Sequence, residues 1–421
     1  MKNRIIVESV SVGTHSLDIS FRTEGDISAY FTDERIFRCE YSADISALPE
    51  AVAVVPFVCS VLPLVWLTDA ELTAGSIDKD FHDCLPHVRR GYEDMYPMLQ
   101  FRGRLKAGLC LTRVRHAQNC AALFSGGADA FCTMFAHLEE RPAIITIWGA
   151  DIATCDTEGW HNVSSRAQHT GRQYGLDNEF IKSNFRELLR EDRLSALVSK
   201  SGDGYWHGFL HGIALLGLCA PIAFTGQLDT LYIASSFTTA DKGKIKCASD
   251  PSIDNHVRFC GARVVHDGYE LNRQQKIELI CNAAESTGYT PEMHVCWQSS
   301  GGGNCCRCEK CLRTIYSLLA CGRNPAHYGF GLWEQYIGSS RRTVLREATY
   351  TTLWNCISER LGQQPAESLP EGVLWLRGRD LRRLQQRYRR RPAALLSRLR
   401  HLVGSRIISP AVTAAMRLRR R

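Results

Sequence analysis

Leu123-Phe124-Ser125-Gly126-Gly127-Ala128-Asp129-Ala130 is the stretch on which the reading of this chain turns. The apolar run Ala121–Phe124 predicts a strand, and the apolar periodicity from Ala128 onward predicts a helix. Two glycines between a strand and a helix let the backbone approach an anion closely and turn its N–H groups toward it. The N-terminus of the following helix adds partial positive charge. The Ser125 hydroxyl can donate to a phosphate oxygen, and Asp129 can order a metal ion or the loop itself. Context carries this reading more than the letters do. Ser300-Gly301-Gly302 has no apolar strand before it and no Asp after it, and reads as a plain turn. No G-x-x-x-x-G-K-[ST] pattern occurs, so the loop is not of the Walker type.

Outward from the loop, strands and helices alternate from about residue 118. The strands read as CAALF (120–124), AIITIW (143–148), EFIKSN (179–184), IAFTG (222–226) and TLYIAS (230–235), with helices after Gly127, Val163, Arg186, Gly204 and Arg273. Such alternation predicts an α/β fold built on a doubly wound parallel sheet. Ligands of these sheets sit outside the carboxyl ends of the strands, which places Ser125, Asn184 and Ser235 at one edge. Residues 1–115 read differently, as short β-type runs (RIIVESVSV, LDISFRT, AVAVV) with a helix near 83–95. The expected organisation is a β-rich N-terminal domain (1–115), a phosphate-loop domain (116–325), a helical extension (326–376) and a basic tail (377–421). A length of 421 residues accommodates this at roughly 100–200 residues per domain.

The second signal is Cys305-x-x-Cys308-x-x-Cys311 with Cys296 upstream. Thiolates at such spacing converge on one cation, and four of them satisfy tetrahedral zinc. A closed four-thiolate site is structural, because no position stays open for water. Its net negative charge can be offset by Lys310 and Arg313. Cys306 breaks the spacing and reads as a spare thiol. Buried or redox cysteines are the alternative. Most of the 18 cysteines, such as Cys132, Cys219 and Cys281, lie singly on apolar stretches and read as small core residues.

Apolar residues make up 44% and charged residues 23%, an ordinary globular balance. The N-terminal segment lacks the apolar core of a signal peptide, so the expected location is cytoplasmic and disulfides are not the expected use of cysteine. Residues 51–67 and 209–224 are apolar but interrupted by Pro or Gly, and read as buried core rather than membrane spans. The net charge of +7 conceals an asymmetry: Arg377–Arg421 holds fifteen Arg and one Asp, a charge of +14, which leaves −7 on residues 1–376. Leu381, Leu384, Leu395, Leu399 and Leu402 recur near helical spacing in that tail. An anionic membrane surface or RNA phosphates are its candidate partners, with a solvated basic tail as the alternative.

Strand-SGGxD resembles the signature of the PP-loop ATP pyrophosphatases, the adenine nucleotide alpha hydrolases. That resemblance implies ATP at Ser125, Gly126, Gly127 and Asp129, with Mg2+ bridging the phosphates; Ser235, at the same sheet edge, is a further candidate contact to the nucleotide. It implies adenylation of a carboxylate or carbonyl oxygen on a small-molecule acceptor, release of pyrophosphate, and later attack by a nitrogen or sulfur nucleophile. The family usually carries Ser after the Asp; Ala130 removes that hydroxyl. The cysteine order extends the likeness to the 7-cyano-7-deazaguanine synthases: a Lys-containing helix start (Lys276-Ile277-Glu278-Leu279-Ile280), then Val295-Cys296-Trp297, then the triple Cys and Arg313. Carried over, Cys296, Cys305, Cys308 and Cys311 become Zn2+ ligands. Ser125, Asp129 and Lys276 become candidate catalytic residues, Lys276 as a phosphate contact or else a solvated lysine. The likeness covers about 118–320 and does not extend to the deazapurine substrate. Two other functions remain: an RNA-modifying thiolase or amidase, and a nucleotide-binding module without turnover.

Weaker signals complete the reading. His207 and His211 share the i, i+4 spacing of a zincin motif, but Gly208 stands where Glu is needed, so both read as satisfied helix histidines. Asn184 or Arg186 could bind substrate or cap a helix. Lys242, Lys244 and Lys246 could close over phosphates or remain solvated. No glutaminase nucleophile is evident, so ammonia would come from solution or a partner.

Overall fold

A computed structural model describes residues 2–112, 118–296, 298 and 302–389. Among them the chain forms two compact units: Met1–Cys305 with Ala326–Phe330, and Cys306–Pro325 with the residues from Gly331 onward.

The first unit is a mixed α/β fold around one large, mostly parallel sheet. Its strands are β1 (Arg4–Val12), β2 (Ser16–Glu24), β3 (Ile36–Tyr41), β4 (Glu71–Asp78), β5 (Arg104–Cys110), β6 (Asn119–Leu123), β7 (Ala143–Trp148), β8 (Asn178–Ser183), β9 (Leu228–Ala234), β10 (Arg258–Phe259) and β11 (Ala262–Asp267). They lie in the order β10-β11-β9-β6-β7-β8-β3-β2-β1-β4-β5. β11, β9, β6, β7 and β8 are parallel neighbours. The chain moves outward from β6 through β7 to β8, then crosses back to β9 on the other side of β6. The strand order thus reverses between β6 and β9, and the carboxyl ends of strands at such a reversal are where open parallel sheets hold ligands.

Residues 1–112 do not make a sheet of their own. β1, β2 and β3 are antiparallel, β4 and β5 run parallel to β1, and β3 pairs antiparallel with β8 through Cys39↔Ser183, Glu40↔Lys182 and Tyr41↔Ile181. The Asn184 side chain reinforces this seam, accepting from the Arg38 N–H at 2.8 Å and donating to the Ile36 carbonyl at 2.9 Å. The β-rich front thus continues the α/β sheet.

Two expected strands are helices. AVAVV falls in the helices Glu50–Ala53 and Val55–Leu67, and IAFTG falls in the helix Ala220–Thr225. Both are buried on nearly every side, so neither shows the polar face that separates a helix from a buried strand. Val55–Leu67 packs with His211–Leu218 so closely that a Cβ on Gly217 would stand 2.3 Å from the Cys59 Cβ. Trp206–Thr225 is long and apolar enough to cross a membrane, yet 78% of its 18-residue apolar window is buried inside the protein. Helices cover both faces: Ala121, Leu231 and Val264 join the core of Val55–Leu67, while Tyr232 on the opposite face stacks on His137 at 3.8 Å.

The second unit is helical. Tyr316, on Glu309–Ala320, meets Trp354 of Thr351–Gln363 edge-on at 5.4 Å and accepts from Trp375 Nε1 at 2.9 Å. Residues 390–421, most of the basic tail, lie outside the described residues.

Candidate functional site

The glycine loop forms at the carboxyl end of β6. Phe124 continues the strand by donating its N–H to the Ile145 carbonyl at 2.7 Å. Gly126 then takes φ +74°, a left-handed conformation that side chains rarely adopt. Gly127 caps the helix Ala128–Ala136 at φ −81°, which any residue can adopt, and its N–H points to Ser125 Oγ at 3.4 Å. A Cβ on Gly126 would meet nothing within 4 Å, so the outer face of the loop is open.

Asp129, in the first turn of that helix, gathers two cations. Arg273 Nη2 reaches Asp129 Oδ2 at 2.8 Å, and Lys276 Nζ reaches Oδ1 at 3.3 Å. Lys276 also donates to the Ser235 carbonyl, at the end of β9. Arg273 and Lys276 are only 6% and 2% exposed, so Lys276 is not a solvated helix lysine. The Asp267 carboxylate also feels the Lys276 cation, which helps to lower it. Ser125, Gly126, Gly127, Asp129, Ser235 and Lys276 are thus brought to one end of the sheet.

Sequence reasoning missed Arg273, although it lies three residues before Lys276 and so on the same helix face. It also missed Glu292 and His294, just before Cys296. The His294 N–H donates to the Gly126 carbonyl at 2.7 Å, so the chain leading to Cys296 is tied to the loop. A narrow pocket beside the loop is walled by Phe124, Ser125, Gly126, Arg166, Glu292 and His294. Burial pushes Arg166 below the usual guanidinium range, while the Glu292 carboxylate counters it.

The far end of the Ala128–Ala136 helix is locked by a charged array. His137 bonds Glu140 through Nδ1 at 2.7 Å and Asp267 through Nε2 at 3.0 Å, while Thr133 donates to Asp267 at 2.7 Å. Burial alone would depress His137, but its bonds to Asp267 and Glu140 outweigh that and raise it. Burial would raise Asp267, but His137 and Thr133 bring it below the usual carboxylate range; Glu140 is lowered mainly by His137. The imidazolium contribution to stability is therefore full below the unfolded value of about 6.5 and fades as pH rises through the higher folded value. The carboxylate contribution is full above about 4 and fades as pH falls. His137→Gln should accordingly cost most between about pH 5 and 6 and progressively less above about pH 7. Urea midpoints of parent and variant across pH test this; a pH-independent difference would contradict the array.

The four-cysteine cluster is present. Sγ atoms of Cys296, Cys305, Cys308 and Cys311 all lie within 4.8 Å of one another, an arrangement that can hold a metal ion. Cys308 is the N-cap of Glu309–Ala320 and Cys311 lies in its first turn, where the helix end favours thiolates. Cys306 lies outside the four and takes φ +55°. Arg313, expected to offset the cluster, pairs with Glu309 at 3.2 Å.

Other candidates have structural employment. Arg186 stacks over Trp206 at 4.2 Å, and Lys182 lies over Trp148 at 4.7 Å. Lys244 donates to the Ala240 carbonyl at 2.7 Å, and Lys246 lies over Tyr96 at 5.0 Å. His211 packs edge-on against Trp206 at 5.0 Å. His207 bonds Asp203 at 2.9 Å from a π-helical turn, Trp206–Leu210, rather than from an α-helical face.

A scan against protein-family models finds no match. A search of the curated proteins finds none either.

Proposed function

We propose that the chain is an ATP-using enzyme of the PP-loop type, cleaving between the α and β phosphates to adenylate a carboxylate or carbonyl oxygen of a small-molecule acceptor. The observation that carries this reading is the Ser125-Gly126-Gly127 loop at the carboxyl end of β6, where the strand order reverses toward β9, backed by the buried Arg273 and Lys276. In this reading, loop N–H groups and the helix N-terminus would hold the phosphates, and Mg2+ would neutralise part of their charge. Arg273 and Lys276 would help to stabilise negative charge developing on the leaving pyrophosphate. The cysteine cluster would hold a structural Zn2+ that fixes the chain next to His294.

Gly127→Val is the clean test. At φ −81° valine is unstrained, and a Cβ there would make only ordinary contacts, the nearest at 3.4 Å to Ser125 Oγ. The variant should melt close to the parent yet lose the calorimetric signal for Mg-ATP and the release of AMP and pyrophosphate. Unchanged Mg-ATP binding would place any nucleotide elsewhere. One observation favours a nucleotide-binding module without turnover: Ala130, where the resembling family carries Ser, is buried and offers no hydroxyl. Binding without pyrophosphate release would decide for that module.

A further inference from the structure

The helices Ser340–Glu347 and Leu381–Arg389 carry seven exposed arginines: Arg341, Arg342 and Arg346 on the first, Arg382, Arg383, Arg387 and Arg389 on the second. Gln385, 6% exposed, donates to the Ala348 carbonyl at 2.8 Å and ties the second helix to the end of the first. The arginines of the two helices therefore flank one seam, and three of them lie well before the basic tail.

The fold does not neutralise this charge. Arg342 and Arg346 stand at i, i+4, as do Arg383 and Arg387, and like charges at that spacing repel. Neither helix has an acid in its first turn. Asp380, just before the second helix, accepts from the Arg383 N–H at 2.7 Å and so serves as a cap. Elsewhere in this unit Arg313 pairs with Glu309 at 3.2 Å, whereas none of the seven has a carboxylate partner among the described residues. A face that keeps like charges together without internal partners is complementary to an anion from outside.

Residue type and burial narrow that anion. No Lys occurs after Lys310. A guanidinium binds phosphate through two parallel N–H bonds and stacks on flat rings, which an ammonium does not. A helix that lies on a membrane needs a free apolar face to insert. In Leu381–Arg389 that face is occupied: Leu381 is fully buried, its N–H bonded to Asn355 Oδ1 at 2.9 Å, and Leu384 and Tyr388 are half-buried. Rings do remain beside the arginines. Arg341 lies over Trp375 at 5.7 Å, and Trp375 and Tyr388 are both partly exposed. The bases of a single strand can stack on such rings, whereas those of a duplex are already paired.

We infer that this face binds single-stranded nucleic acid, its arginines holding successive phosphates. The inference is independent of the nucleotide reading, and the face lies wholly within the second unit.

Anisotropy of a fluorescent oligouridine of about 12 nucleotides, titrated with the full chain, tests it. Affinity should fall steeply as salt rises. Arg342→Gln with Arg346→Gln removes two phosphate contacts remote from the tail. It should make the slope of log affinity against log salt shallower by about 1.4, at about 0.7 per contact, and weaken binding at about 0.1 M salt on the order of tenfold. Arg383→Gln with Arg387→Gln should do the same. Each double variant relieves a like-charge pair, so both should melt no earlier than the parent. Arg342→Lys with Arg346→Lys keeps the charge and should keep the slope, so a slope lost only in the Gln variant reads charge rather than folding. Duplex RNA of the same length should bind more weakly, and phosphatidylserine vesicles should not displace the oligonucleotide. No binding by the parent, or an unchanged slope in Arg342→Gln with Arg346→Gln, would overturn the inference. Displacement by the vesicles would reassign the face to a membrane, and equal affinity for the duplex would rule out the single strand.

Discussion

Asp129→Ala will destabilise the protein by about 3–5 kcal/mol, the cost of leaving buried charge uncompensated. The carboxylate is the shared acceptor for Arg273 at 2.8 Å and Lys276 at 3.3 Å, and both cations are almost wholly buried. The Asp129 side chain is 22% exposed, so solvent screens part of the interaction and the lower half of that range is expected. Asp129→Asn keeps the shape and one acceptor oxygen and should fall between parent and alanine. Phosphate or sulfate should raise the urea midpoint of Asp129→Ala more than that of the parent, because an oxyanion can replace the lost charge. A loss below about 1 kcal/mol would mean that the carboxylate does not hold the two cations together. Loss of ATP binding in this variant therefore reports the fold of the loop as much as any contact to a metal, which makes Gly127→Val the sharper probe of the nucleotide.

Metal analysis should find about one zinc per chain, and Cys311→Ser should lose it. Tetrahedral thiolate ligation at about 2.3 Å puts sulfur atoms about 3.8 Å apart, and the four Sγ atoms already lie within 4.8 Å. Structural zinc in small motifs contributes about 10–16 kcal/mol of apparent binding energy at neutral pH. Removing one ligand, or adding a strong chelator, should thus lower the melting temperature sharply and expose the remaining cluster thiols to a disulfide reagent. Equal zinc content and equal thiol reactivity in Cys311→Ser and parent would remove the metal from this account.

What was legible in the sequence was local. The glycine loop and the C-x-x-C-x-x-C run are contiguous, and their chemistry follows from spacing along the chain. Ala220–Thr225 and Val55–Leu67 were harder because both are buried all round, so periodicity has no polar phase to report. β11 went unplaced although Val264 and His266 alternate with more accessible neighbours. The Arg273–Asp129 pair spans 144 positions, and no local pattern announces a contact at that range.

The antiparallel seam between β3 and β8 has a consequence at the ribosome. β1, β2 and β3 can pair as soon as they emerge, yet the outer edge of β3 gains its partner only when Ser183 has been made, some 142 positions after Tyr41. At roughly 5–20 residues per second, that edge is bare for about 7–30 s. An unpaired edge is a template for association between nascent chains. Arg38 and Glu40 are exposed on β3 between its buried positions, and their opposite charges blunt the strand while it waits. Translation that stalls before β8 would leave this edge open, giving chaperones a defined substrate on an otherwise self-pairing N-terminal segment.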